Sequence, residues 1–145
     1  MKIFIVNGPN LNMLGTREPE HYGRQSLDEI NKEIAAKAQA LGLETQFFQS
    51  NVEGEIISFV QNAKPNGAEG IILNAGAFTH YSYAIRDAIS SIDIPVIEVH
   101  LSNLFKREKF RHKSVLAAAC TGQIAGFGKF GYMMALEYFA MATAK

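Results

Sequence analysis

The residues best suited to chemistry in this sequence form an acid–base set on separate segments. Arg17 and Tyr22 lie on a long polar stretch near the start of the chain. His80 follows a glycine turn, and His100 comes two positions after Glu98. A histidine titrates near neutral pH, and a carboxylate beside it can hold its tautomer. A single histidine is more often structural, but two histidines and a glutamate that meet in one place indicate proton transfer.

Tyr22 is the candidate base of this set. A tyrosine has an ordinary pKa of about 10, so only about 0.1% of it is ionised at pH 7. Arg17 lies on the same stretch, and a guanidinium within about 4 to 6 Å would lower the pKa of the phenol. A phenolate base with an imidazolium acid suits removal of a proton next to a carbonyl group and departure of a hydroxyl as water.

An alternation of strands and helices must position these residues. Short apolar runs of β-branched and aromatic residues, bounded by turn residues, predict buried strands. A capping box of Ser26 and Glu29, with apolar residues at helical spacing up to Gly42, predicts the first helix. The predicted strands are 3–6, 44–49, 70–74, 95–99 and one that ends near 124–126, and the predicted helices are 26–41, 55–63, 81–91 and 131–142.

This alternation predicts one α/β domain over residues 1–145, with a parallel sheet covered by helices on both faces. Strands 1 and 3 are the most apolar and are expected at the centre. We therefore predict a flavodoxin-like three-layer sandwich with the strand order 2-1-3-4-5. Ligands bind outside the carboxyl ends of the strands in such sheets, and the acid–base set lies at those ends.

Residues 7–23 form a connection that is much longer than the about 2 to 6 residues usual between a strand and a helix. Long ordered loops often act as lids over active sites. Gly15 and Gly23 suit hinges, so we predict an active-site flap over about residues 15–24. A surface loop without a function is the alternative.

The sequence supports other chemistries poorly. The Gly-x-Gly-x-x-Gly motif at 126–131 resembles a dinucleotide-binding turn, but the chain ends too soon after it for the acid that binds the ribose. The histidines lack paired metal-ligand spacing, and the serine-nucleophile elbow Gly-x-Ser-x-Gly is absent. Cys120 is predicted to be a small core residue in an Ala-rich strand. We therefore expect no metal site.

Composition limits the partners and the compartment. The 14 basic residues equal the 14 acidic ones in number, which leaves no basic excess for nucleic acid. Cys120 is the only cysteine, which excludes an intramolecular disulfide and suits a reducing compartment. Apolar runs fall well short of the about 20 residues of a membrane span. We expect a cytoplasmic protein with no nucleic-acid or membrane partner.

The sequence closely resembles type II 3-dehydroquinate dehydratase along its whole length. The flap and the Glu-x-His-x-Ser-Asn segment are the most specific matches. The matching positions are Asn7-Gly8-Pro9-Asn10-Leu11-Asn12, Leu14-Gly15, Arg17, Pro19, Tyr22-Gly23, Asn74, Gly76-Ala77, Thr79-His80, Ser82, Arg86-Asp87-Ala88, Glu98-Val99-His100-Leu101-Ser102-Asn103, Phe110-Arg111-His112, Gly126-Phe127-Gly128 and Gly131-Tyr132.

The resemblance implies a cofactor-free hydro-lyase that converts 3-dehydroquinate to 3-dehydroshikimate and assembles as a dodecamer, a tetramer of trimers. It implies that Tyr22 accepts the C2 proton, that Arg17 stabilises the transition state and that His100 protonates the leaving hydroxyl. It further implies that Asn12 stabilises an enolate and that Glu98 orients His100. The implied substrate-binding residues are Asn74, His80, Asp87, Leu101, Ser102 and Arg111, of which Asp87 reaches a neighbouring subunit's site.

The chain departs from the family pattern at three positions of the segment that follows strand 3. Ala75 stands where proline is common, Phe78 where tyrosine is common, and Tyr81 where a small residue is frequent. Loss of the proline could loosen the turn and so weaken substrate binding. None of the three is a proposed chemical group.

Two alternative functions remain open from the sequence. A flavodoxin-like module that binds flavin or a nucleotide would need a phosphate loop rich in Ser, Thr and Gly after strand 1, where this chain has asparagines and leucines. An absorbance scan for flavin separates that module from the enzyme. A non-catalytic protein that keeps the fold of an enzyme is hard to reconcile with the presence of Tyr22, Arg17 and His100.

Overall fold

The structure is a computed structural model that describes residues 1–16, 18, 20 and 23–143. Its centre is a parallel sheet in the order β2-β1-β3-β4-β5, which confirms the predicted fold class and strand order. The strands are β1 (Lys2–Asn7), β2 (Glu44–Gln49), β3 (Gly70–Asn74), β4 (Val96–His100) and β5 (Gly122–Ala125). The α-helices are α1 (Leu27–Ala40), α2 (Glu53–Gln61), α3 (Tyr83–Ser90) and α4 (Phe130–Thr143).

The helices cover the sheet on both faces, so each central strand buries successive side chains in two different cores. Ile3 and Ile5 of β1 pack against α1 and α4, whereas Phe4 and Val6 pack against α2 and α3. This alternation explains why residues 3–6 of β1 are all apolar. Within the part of the chain that the structure describes, no helix is long and apolar enough to cross a membrane.

The first helix begins as the sequence predicts. Ser26 Oγ accepts a hydrogen bond from Glu29 N at 3.1 Å, and the Glu29 carboxylate accepts one from Ser26 N, which completes the capping box. The largest difference from the prediction concerns Cys120. It follows a 3-10 helix at Ala117–Ala119 and precedes β5, so the Ala-rich stretch is not part of the strand.

The predicted flap lies partly outside the described residues, because Arg17, Pro19, His21 and Tyr22 belong to the part that the structure does not describe. Both predicted hinge glycines are described. Gly15 has φ 91° and Gly23 has φ 80°, which is backbone that a side chain with a Cβ rarely adopts. The two ends of the flap therefore need glycine.

Candidate active site

The carboxyl ends of β1, β3 and β4 meet around one cavity. Asn7 pairs with Asn74 across β1 and β3, and Leu73 pairs with Glu98 across β3 and β4, so the polar strand ends are neighbours. The cavity is lined by Asn10, Asn74, His80, His100, Ser102 and Arg111, among others. The predicted acid His100 lines it, and so do five of the six predicted substrate-binding residues: Asn74, His80, Leu101, Ser102 and Arg111.

Glu98 and His100 form a buried pair at the end of β4. The Glu98 side chain is fully buried, and its Oε2 lies 2.5 Å from Nε2 of His100. Burial alone would raise the pKa of Glu98, but hydrogen bonds from His100, Gln123 and Ser114 and the charge of His100 outweigh it and lower the pKa. Since an ionised carboxylate only accepts, His100 donates from Nε2 and keeps Nδ1 for a ligand in the cavity.

His80 lies beside this pair in a different protonation environment. Its Nδ1 is 2.8 Å from the carbonyl oxygen of Lys113, so Nδ1 carries the hydrogen. Burial, with the charges of His100 and Arg111, lowers the pKa of His80 despite that hydrogen bond. The His80 and His100 ring centroids are 6.5 Å apart with the planes at 18°. The site thus holds one neutral imidazole and one imidazole paired with a carboxylate.

A buried tyrosine fixes the amide of Asn74. Asn74 Nδ2 donates to the Tyr132 hydroxyl at 3.0 Å, and that hydroxyl donates to Asn7 Oδ1 at 2.5 Å. Asn74 Oδ1 accepts a hydrogen bond from Gly76 N at 3.2 Å, and this contact identifies the oxygen and the nitrogen of the side-chain amide. Burial raises the pKa of Tyr132, so its hydroxyl stays protonated. The second hydrogen of Asn74 Nδ2 remains for a ligand.

We expect Tyr132→Phe to lower both stability and substrate affinity. The change leaves buried polar atoms of Asn7 and Asn74 without their partner, which costs about 1–3 kcal/mol of unfolding free energy. It also leaves the Asn74 amide held only by Gly76 N, so we expect KM to rise more than kcat changes. Urea unfolding and steady-state kinetics measure the two effects. Tyr138→Phe, on an exposed part of the same helix, is the matched control, and an unchanged KM with lost stability would limit Tyr132 to a structural role.

The structure brings Asn10, and not Asn12, to this cavity. Asn10 lines the cavity with His80 and His100, whereas Asn12 lines a different one between α1 and β2. The cause is local: Asn10 has φ 69°, and its N–H donates to Asn51 Oδ1 at 2.9 Å. The 3-10 turn that follows buries Leu11 and directs Asn12 elsewhere. Asparagine tolerates this left-handed backbone better than most residues.

Two arginines, Arg107 and Arg111, supply positive charge to the cavity, and only Arg111 is predicted from the sequence. Nε of Arg111 lies 3.2 Å from Oε1 of Glu108, and the Arg111 guanidinium is 4.7 Å from the Phe110 ring centroid. Arg107 also lines the cavity and donates from NH1 to Ser102 Oγ at 3.3 Å. Its position in an irregular polar stretch gave no spacing signal. Together they make the cavity suited to a carboxylate.

The remaining predicted site residues are not brought together in this single chain. Asp87 lies on α3 with an exposed side chain and does not line the cavity. Tyr22, the predicted base, and Arg17, the predicted cation beside it, lie outside the described residues.

Cys120 is half-buried, and burial with the nearby Glu98 charge raises its pKa to about 12, which makes it a poor nucleophile.

Ala75, where the resemblance to the family leads us to expect proline, lies in a turn directly after β3. Ala75 is fully buried and has φ −78°, which is within the range of proline. The hydrogen bond from Gly76 N to Asn74 Oδ1 closes the turn without it. The backbone of this turn is therefore one that alanine and proline can both adopt.

The fold and the cavity define an α/β enzyme with a carboxylate–histidine pair at the carboxyl ends of its strands. A family model described as dehydroquinase class II matches residues 1–140. The 3-dehydroquinate dehydratase of Clostridium perfringens is 57% identical over 137 residues, which cover 94% of this chain and 95% of that protein. The 3-dehydroquinate dehydratase of Caldicellulosiruptor bescii is 57% identical over 135 residues, 93% of each.

The solved structures agree with the sequence comparisons. The crystal structure of type II dehydroquinase from Butyrivibrio crossotus has a TM-score of 0.93 and 49% identity, and covers 95% of this chain and 96% of that one. The chain belongs to the class II dehydroquinase family, and it is an enzyme of the hydro-lyase class. The resemblance noted in the sequence is confirmed.

Proposed function

We propose that this enzyme dehydrates 3-dehydroquinate to 3-dehydroshikimate in the shikimate pathway, by anti elimination through an enolate. The observation that carries the mechanism is the buried Glu98–His100 pair, which opens onto a cavity with a second imidazole and two guanidiniums. Such a pair suits protonation of a leaving hydroxyl. The names of the relatives supply the substrate.

The first step is removal of a proton by Tyr22. The Tyr22 phenolate takes the C2 proton, and the C2–H bonding electrons form the enolate with the C3 carbonyl. Arg17 keeps the phenol ionised and stabilises the developing charge. Because Asn10 lines the cavity, we assign to it, in place of Asn12, the task of holding a water against the enolate oxygen.

The second step is departure of the C1 hydroxyl. The enolate electrons form the C1–C2 double bond, the C1–O bond breaks, and the imidazolium of His100 gives its Nδ1 proton to the leaving oxygen, which departs as water. His100 is neutral afterwards and keeps its Nε2 hydrogen on Glu98. The proton held by Tyr22 must return to solvent before the next cycle.

The cavity suits the substrate's charge and hydroxyls. Arg111 and the backbone of Leu101 and Ser102 line the cavity and would bind its carboxylate, since a guanidinium pairs with a carboxylate in two parallel hydrogen bonds. Asn74 and His80, whose orientations are fixed by Tyr132 and by the Lys113 carbonyl, would bind ring hydroxyls.

We also propose the family's dodecamer, a tetramer of trimers, in the cytoplasm. Asp87 lies outside its own chain's cavity, so a role at the site requires a second subunit. Tyr83 precedes Asp87 by one helical turn on α3 and is 61% exposed, as an interface residue of a separated subunit would be. Light scattering of the purified protein measures the assembly.

Turnover tests the function directly. Addition of 3-dehydroquinate to the purified enzyme, with no cofactor, should produce the ultraviolet absorbance of a conjugated enone. Heat-denatured enzyme is the control for spontaneous dehydration. An enzyme that is folded and assembled but gives no product would contradict the proposal.

Asn10 and Asn12 can be separated by two matched variants. We expect Asn10→Gly to lower kcat by about 10²- to 10³-fold, the usual effect of losing one donor at an oxyanion, while Asn12→Ala changes kcat by less than about twofold. Glycine keeps the left-handed backbone of position 10, so the loss reports on the amide. Steady-state kinetics measures both, and the reverse order of effects would return the assignment to Asn12.

A further inference from the structure

Among the residues that the structure describes, Glu98 is the one buried carboxylate beside the proposed acid, and its side chain is held by three hydrogen-bond donors. Oε2 accepts hydrogen bonds from Nε2 of His100 and, at 2.8 Å, from Nε2 of Gln123. Oε1 accepts one from Ser114 Oγ at 2.9 Å. Each partner comes from a different part of the chain. The same oxygen that orients His100 is therefore also bound by an amide from the neighbouring strand.

We infer that Gln123 is a positioning residue that holds the Glu98 carboxylate in place for His100. The inference rests on the proposed roles of Glu98 and His100 and adds a residue that no motif of the chain identified. Gln123 lies on the edge strand β5, directly across from Glu98 in the register of the parallel pair. Its side chain crosses to the neighbouring strand and donates to the carboxylate there.

The first reason is orientation. The end of a glutamate side chain rotates freely unless both oxygens are fixed. Ser114 fixes Oε1 and Gln123 fixes Oε2, so the carboxylate plane has one orientation and the His100 ring takes its own from it. Without Gln123, Oε2 would be held only by the histidine that it is meant to orient.

The second reason is charge during the reaction. Before proton transfer, the imidazolium of His100 neutralises Glu98. After the proton leaves for the departing hydroxyl, the imidazole is neutral and a fully buried carboxylate has lost its counter-ion. The neutral donors Gln123 and Ser114 then carry the stabilisation of that charge. They allow Glu98 to stay ionised, so the Nε2 hydrogen remains on His100.

Few other titratable groups act on Glu98. Among the described residues, His80 and Cys120 interact with its charge besides His100. Neither supplies a positive charge. Burial lowers the pKa of His80, which favours the neutral imidazole, and it raises the pKa of Cys120, which favours the neutral thiol. The facing residue on β3, Leu73, is apolar.

The test is Gln123→Met, which keeps the length of the side chain and removes the donor. Gln123 is exposed on an edge strand, so the fold should tolerate the change. We expect kcat to fall about tenfold, as for other residues that orient a catalytic ligand, with KM within about twofold of wild type. Loss of a donor raises the pKa of Glu98, so the acid-side fall in kcat moves to higher pH.

Gln123→Glu provides the opposite perturbation at the same position. A second carboxylate within 2.8 Å of Glu98 must share a proton with it. We expect lower activity than in Gln123→Met at neutral pH, and partial recovery as the pH falls, because a protonated carboxyl donates where the amide did. Ser114→Ala is a poorer probe, since Ser114 Oγ also accepts from Leu116 N and Ala117 N.

The controls separate this inference from the proposed mechanism. Thr121→Val changes a nearby exposed residue and should keep the wild-type pH profile. A wild-type kcat and pH profile in Gln123→Met, with His100→Ala inactive, would overturn the role of Gln123 alone. Full turnover in His100→Ala would instead contradict the proposed acid. A loss in Gln123→Met confined to thermal stability, with kinetics unchanged, would also overturn the inference.

Discussion

We expect His100→Ala to lower kcat by about 10²- to 10⁴-fold, the range that general acid catalysis supplies, with a much smaller change in KM. His100 sits at the end of β4, and its Nε2 is already occupied by the buried carboxylate of Glu98. Nδ1 is then the only ring nitrogen that can give a proton to the substrate. Removal of the ring leaves the hydroxyl to depart as hydroxide, which is a far poorer leaving group than water.

Steady-state kinetics with 3-dehydroquinate measures this effect, and a nearby histidine provides the control. His112 lies in the same polar segment, and its Nε2 is 3.2 Å from the carbonyl oxygen of Arg107. His112→Ala should keep kcat within about threefold, since the ring has no proposed part in the chemistry. If the two variants lost activity equally, the effect at His100 would have to be assigned to packing.

Tyr22→Phe is expected to abolish measurable turnover while leaving ligand binding largely intact. Phenylalanine keeps the ring and removes the oxygen that we propose takes the C2 proton, so the proposed first step would have no base. The loss should be at least as large as that of the acid, about 10²- to 10⁴-fold. Kinetics measures turnover, and calorimetric titration with the product measures binding.

The matched control for this change is Tyr138→Phe, which removes a phenolic oxygen from the outer part of α4. That variant should behave as wild type in both measurements. A kcat close to wild type in Tyr22→Phe would exclude Tyr22 as the base. Weak product binding with a residual kcat would place Tyr22 in substrate binding instead.

The fold could be predicted because its signals are local. The inner residues of β1 and β3 are apolar, and α1 and α3 each have an apolar face, so the burial of Ile3, Phe4 and Ile5 follows from the local pattern. Helix boundaries were less certain, and α2 begins at Glu53, two residues before the predicted start. Ser50 and Asn51, which precede this helix, are both residue types that occur before a helix, so the sequence allows more than one start.

The site could be predicted only in part, because its decisive contacts join distant segments. Asn10 and Asn12 are the same residue type two positions apart, so the sequence does not show which of them reaches the cavity. The left-handed backbone of Asn10 decides it. The contact of Gln123 with Glu98 depends on the register of an edge strand. Arg107 reaches Ser102 from an irregular segment. No periodic pattern encodes any of these contacts.

The hydrogen bonds of Tyr132 also set an order in which the enzyme can become active. Tyr132 lies on α4, the last helix of the chain, yet it holds Asn7 and Asn74 at the ends of two central strands. Proteins emerge from the ribosome amino-terminal end first. A nascent chain with all five strands paired would therefore still have a loose Asn74 amide. With the substrate-binding role that we propose for Asn74, productive binding would begin only when the final helix docks.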